Sequence, residues 1–125
     1  MNQLMIKLII KNLDKETKDK IKAEIEQKIE FLSNEVIADW FHISDYYKSP
    51  DEKKCVLSLT FQNGITIKDL LVLFDCCQWQ YAISEVINEQ DEVCEYERAI
   101  WSKLCNPNEI FVDPKVQWVH IYNWD

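Results

Sequence analysis

The chain has 125 residues, the size of one compact domain. Its 47% hydrophobic and 12% aromatic content rules out wholesale disorder, and its one glycine, Gly64, rules out Gly-rich phosphate loops and dinucleotide fingerprints. A net charge of −8 and a pI near 4.7 argue against a nucleic-acid backbone or an anionic membrane as the main partner.

In chain order, Leu4-Met5-Ile6-Lys7-Leu8-Ile9-Ile10 reads as a buried strand. Asp14 is an N-cap for a helix reaching Leu32, with Ile21, Ile25, Ile29 and Leu32 on one apolar stripe. Glu16–Lys20 and Glu24–Lys28 are favourably spaced pairs on its solvent side. Val36 to Tyr47, rich in β-branched and aromatic residues, reads as a second strand, closed by the turn Ser49-Pro50-Asp51-Glu52. A third strand alternates Cys55, Leu57, Leu59 and Phe61 against Val56, Ser58, Thr60 and Gln62. Asn63-Gly64 ends it as a tight turn, since both residues accept positive φ. Thr66 and Asp69 have capping-box spacing ahead of Leu70, Leu71, Phe74 and Cys77.

Trp79 to Ile87 suits a helix or a strand, and helix is preferred. Asp91 to Cys105 reads as a further helix with Val93, Ile100, Trp101 and Leu104 inward, stopped by Asn106-Pro107-Asn108. Lys115 to Trp124 alternates as a last strand. These elements predict one α+β domain over residues 1–125: an antiparallel or mixed sheet of about four strands with helices packed on one face. A ferredoxin-like βαββαβ order with an extra helix fits them.

The charge is unevenly spread. Residues 1–68 carry eleven Lys/Arg and eleven Asp/Glu, a net of zero, whereas residues 69–125 carry three against eleven, a net of −8. Glu85, Glu89, Asp91, Glu92, Glu95 and Glu97 form the core of this imbalance. Such a run is either a solvated face or a negative potential that steers a basic partner. It lacks the spaced acids and turn glycine of a calcium loop.

Five cysteines, Cys55, Cys76, Cys77, Cys94 and Cys105, match neither a disulfide framework nor zinc spacing. Adjacent Cys76 and Cys77 point in different directions on a helix, so core packing is preferred for them. The start lacks a basic signal region, no apolar run is long enough for a membrane span, and there is no glycosylation sequon. Reduced thiols and a cytoplasmic location are expected. His42 and His120 are the only histidines, and His120 shares a strand face with Trp118 and Tyr122, a setting for a half-buried ring. No nucleophile elbow, zinc-protease motif or P-loop occurs, so neither an enzyme nor a cofactor is predicted.

Ten of the fifteen aromatics, Tyr46, Tyr47, Trp118, Tyr122 and Trp124 among them, exceed what a small core requires, and those left exposed are candidate interface anchors. A stacking platform for single-stranded bases is rejected here on the whole-chain charge. The expectation is a protein-binding module that blocks a basic, nucleic-acid-acting protein, as an immunity protein or phage-type inhibitor does. Its binding set would be the six acidic residues together with Trp118, Tyr122 and Trp124. The alternatives are a homo-oligomeric assembly subunit joined through the open sheet face or the last strand's edge, and, ranked below it, an enzyme or small-molecule binder using a pocket near the cysteines and His42 or His120.

Overall fold

A computed structural model describes residues 2–32, 35–74, 79–105 and 110–124, the side chains of residues 2 and 124 excepted. In chain order the elements are β1 (Asn2–Lys11), α1 (Lys15–Glu30), β2 (Val36–Asp45), β3 (Glu52–Phe61), α2 (Ile67–Leu73), β4 (Gln80–Ile87), β5 (Val93–Ser102) and β6 (Val116–Trp124). All six strands belong to one antiparallel sheet in the order β2-β3-β1-β6-β5-β4. β1 and β2, joined through α1, run parallel with antiparallel β3 between them.

The alternation of β1 sets the two faces. Leu4, Ile6, Leu8 and Ile10 are buried together with Cys55, Leu57, Leu59 and Phe61 of β3, and with Val116, Val119 and Ile121 of β6. Ile21 and Ile25 of α1, Ile67 and Leu70 of α2, and Ile110 and Phe111 join the same core. The opposite face begins with Met5, Lys7 and Ile9, and these pair with Tyr122, His120 and Trp118. A bulge between Ile9 and Ile10 keeps β1 and β6 in step on both faces.

Both helices start as their sequences predict. Asp14 accepts a 2.7 Å hydrogen bond from the Thr17 amide, and this contact holds its carboxyl below the usual range. Thr66 Oγ1 accepts from the Asp69 amide at 3.2 Å while Asp69 Oδ2 accepts from the Thr66 amide at 2.8 Å, a complete capping box. Glu16 and Lys20 pair at 3.0 Å, but Lys28 donates to the Leu73 carbonyl and Glu24 accepts from the Val112 amide.

The α+β expectation of about four strands, ferredoxin-like with an extra helix, is overturned. The described residues are mostly sheet, six antiparallel strands with two helices. The difference lies in residues 80–102, read as helical and found as the hairpin β4–β5. Val93, Ile100, Trp101 and Leu104 match helical spacing, but only Trp101 of these is buried, while Leu104 is 99% exposed. Burial follows a two-residue period through Ala99 and Trp101. The hairpin turn was hidden in a run of polar residues. Asn88 Oδ1 accepts from the Gln90 and Glu92 amides, both at 2.9 Å, and Asp91 takes a φ of 59°, so Asp91 is a turn residue rather than a helix start. Asn63 and Gly64 leave β3 without positive φ, because the chain runs on into the Thr66 cap rather than doubling back. β6 lies between β1 and β5, so its edge is not free, and the edges of the sheet are β2 and β4. Cys76, Cys77 and the Asn106-Pro107-Asn108 stop lie outside the described residues.

Candidate functional site

Strand pairing separates the predicted binding residues onto different surfaces. Residues 93, 95, 97, 99 and 101 of β5 alternate onto the face that carries the helices, as do 81, 83, 85 and 87 of β4. On that face Glu85 stands directly opposite Glu95, with Ile83 opposite Glu97 and Ile87 opposite Val93. Beyond Ala99 the core no longer covers them, and Ile83, Ile87 and Val93 are 55%, 72% and 66% exposed. Glu85 and Glu95 are exposed, and among the described residues neither makes an ion pair. Glu97 is half-buried and accepts the Tyr81 hydroxyl. Desolvation and this neighbouring carboxylate push the Tyr81 phenol up to about 12. Glu89, Asp91 and Glu92 are exposed in the turn that Asn88 organises.

Trp118 and Tyr122 lie on the opposite, open face, as does His120 between them. The backbone of Trp124 pairs with Tyr96, and its side chain lies outside the described part. The His120 ring is half-buried among Trp118 at 5.3 Å, Tyr122 at 4.8 Å and Tyr96 at 6.4 Å between centroids. Tyr96 Oη and His120 Nε2 share a 3.1 Å hydrogen bond. Lys7 sits 5.8 Å above the Tyr122 ring and Arg98 5.9 Å above that of Tyr96. Burial first, then the charges of Lys7 and Arg98, push the His120 imidazole down to about 4.

No protein-family model, curated protein or solved structure matches this chain.

Sequence reading anticipated an open face but missed the contribution of β5 to it. Once residues 93–102 are a strand, Tyr96, Arg98 and Ile100 fall on one side and Glu95 and Glu97 on the other, so the acidic second half is divided by face. β1, β4, β5 and β6 place no carboxylate on the open side.

His120 gives a pH prediction with a definite sign. Its folded value of about 4 lies below its ordinary 6.5, so the unfolded chain binds the proton first. The neutral ring imposes no charge cost above pH 6.5, and stability falls as the pH drops from 6.5 towards 4. Compared with wild type, His120→Gln is expected to lose less stability across that window in urea unfolding. A wild-type imidazole that titrates near 6.5 by NMR would contradict this burial.

The thiols differ in accessibility. Cys55 is buried, and desolvation pushes it up to about 11, Cys94 receives an Asn88 amide hydrogen bond at 3.3 Å, and Cys105 is exposed. Alkylation of the native protein followed by peptide mapping should mark Cys105 and spare Cys55 until unfolding. His42 pairs with Asp39 at 2.9 Å. Among the described residues no three His, Cys, Asp or Glu side chains gather as metal ligands, and no helix is long and apolar enough to cross a membrane.

Proposed function

We propose that this protein is a binding module that inhibits a basic, nucleic-acid-acting protein, after the manner of an immunity protein or phage-type inhibitor, and that it binds through the β4–β5 hairpin. The observation that carries this reading is the Glu85–Glu95 pair, two carboxylates facing each other across adjacent strands and bordered by exposed Ile83, Ile87 and Val93. Like charges directly opposite on a sheet destabilise it, and exposed apolar side chains in a row remain unburied in the free protein. A surface of Lys and Arg side chains answers both features, since their aliphatic stems cover the isoleucines while their charged ends meet the carboxylates.

Glu89, Asp91 and Glu92 at the hairpin tip extend the same potential outward and steer the encounter. The carboxylates would occupy the cationic cleft that the target uses for phosphates, and inhibition would follow by competition. β4 is an edge strand, so its free backbone groups can also pair with a strand of the target. Trp118 and Tyr122 face the other way and take no part in this contact.

The test is affinity capture from the source lysate at low and high salt, with wild type and with Glu92→Lys/Glu95→Lys as bait. A basic protein held at low salt, released at high salt and lost with the variant is the expected result, together with inhibition of that protein's activity on nucleic acid. Capture indifferent to both salt and charge reversal would reject the reading. Self-association that survives salt would replace it with the assembly-subunit alternative.

A further inference from the structure

The open face holds a second feature, on the other side of the sheet from the acidic hairpin. The β2–β3 turn folds a wall beside β1 and β6, leaving a groove of about 610 Å³ between Tyr46, Tyr47 and Lys48 on one side and Lys7, Lys54 and Trp118 on the other. That volume falls within the roughly 300–1,000 Å³ of small-molecule sites. Its charge is opposite to that of the chain. Lys7, Lys48 and Lys54 make no ion pair among the described residues, whereas the carboxylate of Asp45 is engaged by Lys53. With Asp45 paired in this way, Glu52 is the one lining acid without an ion pair among the described residues, so three lysines stand against it. Lys48 lies 5.7 Å over the Tyr47 ring, so one wall pairs an ammonium with an aromatic face.

We infer that this groove binds a nucleoside phosphate, with its phosphate among Lys7, Lys48 and Lys54 and its base against Trp118 and the Tyr46–Tyr47 wall. Two kinds of side chain in the groove together specify this ligand class. Lysines recognise phosphate as point charges, and indole and phenol rings stack on bases of any sequence. A simple anion would leave the rings unused, and an uncharged aromatic would leave three ammonium groups unanswered. Among the described residues, the six acids of the β4–β5 hairpin do not oppose binding, because Glu85, Glu95 and Glu97 lie on the helix-side face and Glu89, Asp91 and Glu92 at the hairpin tip. Exposed charges more than about 8 Å away are largely screened at physiological ionic strength. Glu52, the acid in the groove without an ion pair among the described residues, limits affinity for phosphate. This site is separate from the hairpin and stands whether or not the proposed inhibition is correct.

The experiment is an NMR titration of the full chain with AMP, adenosine and inorganic phosphate, each followed at the tryptophan indole and backbone amides. AMP is expected to shift the Trp118 indole and the amides of residues 46–48, with adenosine and phosphate each binding at least about tenfold more weakly. Lys48→Gln/Lys54→Gln, two partly or fully exposed positions, should weaken AMP about tenfold or more, the worth of a charge-assisted hydrogen bond. Glu52→Gln should tighten it. Phosphate binding as tightly as AMP, shifts that map away from Trp118, or no shift at all would overturn the assignment. A short oligothymidylate that binds far more tightly than AMP and moves resonances across Tyr96 and Tyr122 would also overturn it, in favour of a strand laid along the whole face.

Discussion

Replacing Trp101 with alanine is expected to destabilise the protein by about 3–5 kcal/mol, whereas Leu104→Ala is expected to fall within about 0.5 kcal/mol of wild type. Trp101 is 1% exposed and packs in the central cluster, while Leu104, three residues on, is open to solvent. The indole Nε1 of Trp101 is buried without an acceptor among the described residues, so the loss comes from packing rather than from a broken hydrogen bond. A small domain has roughly 5–15 kcal/mol of stability in total, so this one side chain carries a large share of it. Urea unfolding of the two variants decides the matter. Equal losses would mean that residues 93–104 bury a helical stripe, and the six-stranded sheet would then be wrong.

Glu95→Lys should have two effects of opposite sign. Placed opposite Glu85, a lysine converts a repulsive cross-strand pair into an attractive one, and the stability gain should be about 0.2–1 kcal/mol. The same change removes a carboxylate from the proposed contact and adds a cation to it. Binding to the basic target should fall by more than tenfold, which is at least about 1.4 kcal/mol. Unfolding and binding are measured separately on one purified variant. A stabilised protein that binds less well identifies the pair as strain held for recognition. A variant that loses stability, or keeps its affinity, removes the hairpin from the functional reading.

How far the sequence could be read depended on whether local signals agreed with tertiary burial. β1 and β3 are legible because their alternating residues are strongly apolar and the core accepts them, as with Leu57 and Leu59. α1 and α2 are legible because Asp14 and Thr66 carry capping chemistry that works locally. β5 resisted reading because its core-facing series runs Val93, Glu95, Glu97, Ala99, Trp101, and only the last two reach the core. Its apolar residues fit a helical period by coincidence, and the turn that would have corrected it depends on one Asn side chain and an Asp at positive φ. The acidic run was visible, but its placement on one side of the sheet was not. Misreading β4 and β5 thus concealed that β1, β4, β5 and β6 place no carboxylate on the open side, because the sign of a surface is a property of strand pairing rather than of composition.

The two strands at the middle of the sheet, β1 and β6, come from opposite ends of the sequence, with Met5 beside Tyr122. During synthesis at about 5–20 residues per second, the 117 residues from Ile6 through Tyr122 take roughly 6 to 23 s to emerge. Throughout that interval the most apolar strand of the protein can pair with β3 on one flank while the other flank stays open to any neighbouring chain. Topologies dominated by such distant pairings also fold slowly once complete. The yield of native protein in the cell should therefore depend on how fast the chain is made and on what protects β1 in the meantime, more than on the depth of the final energy well.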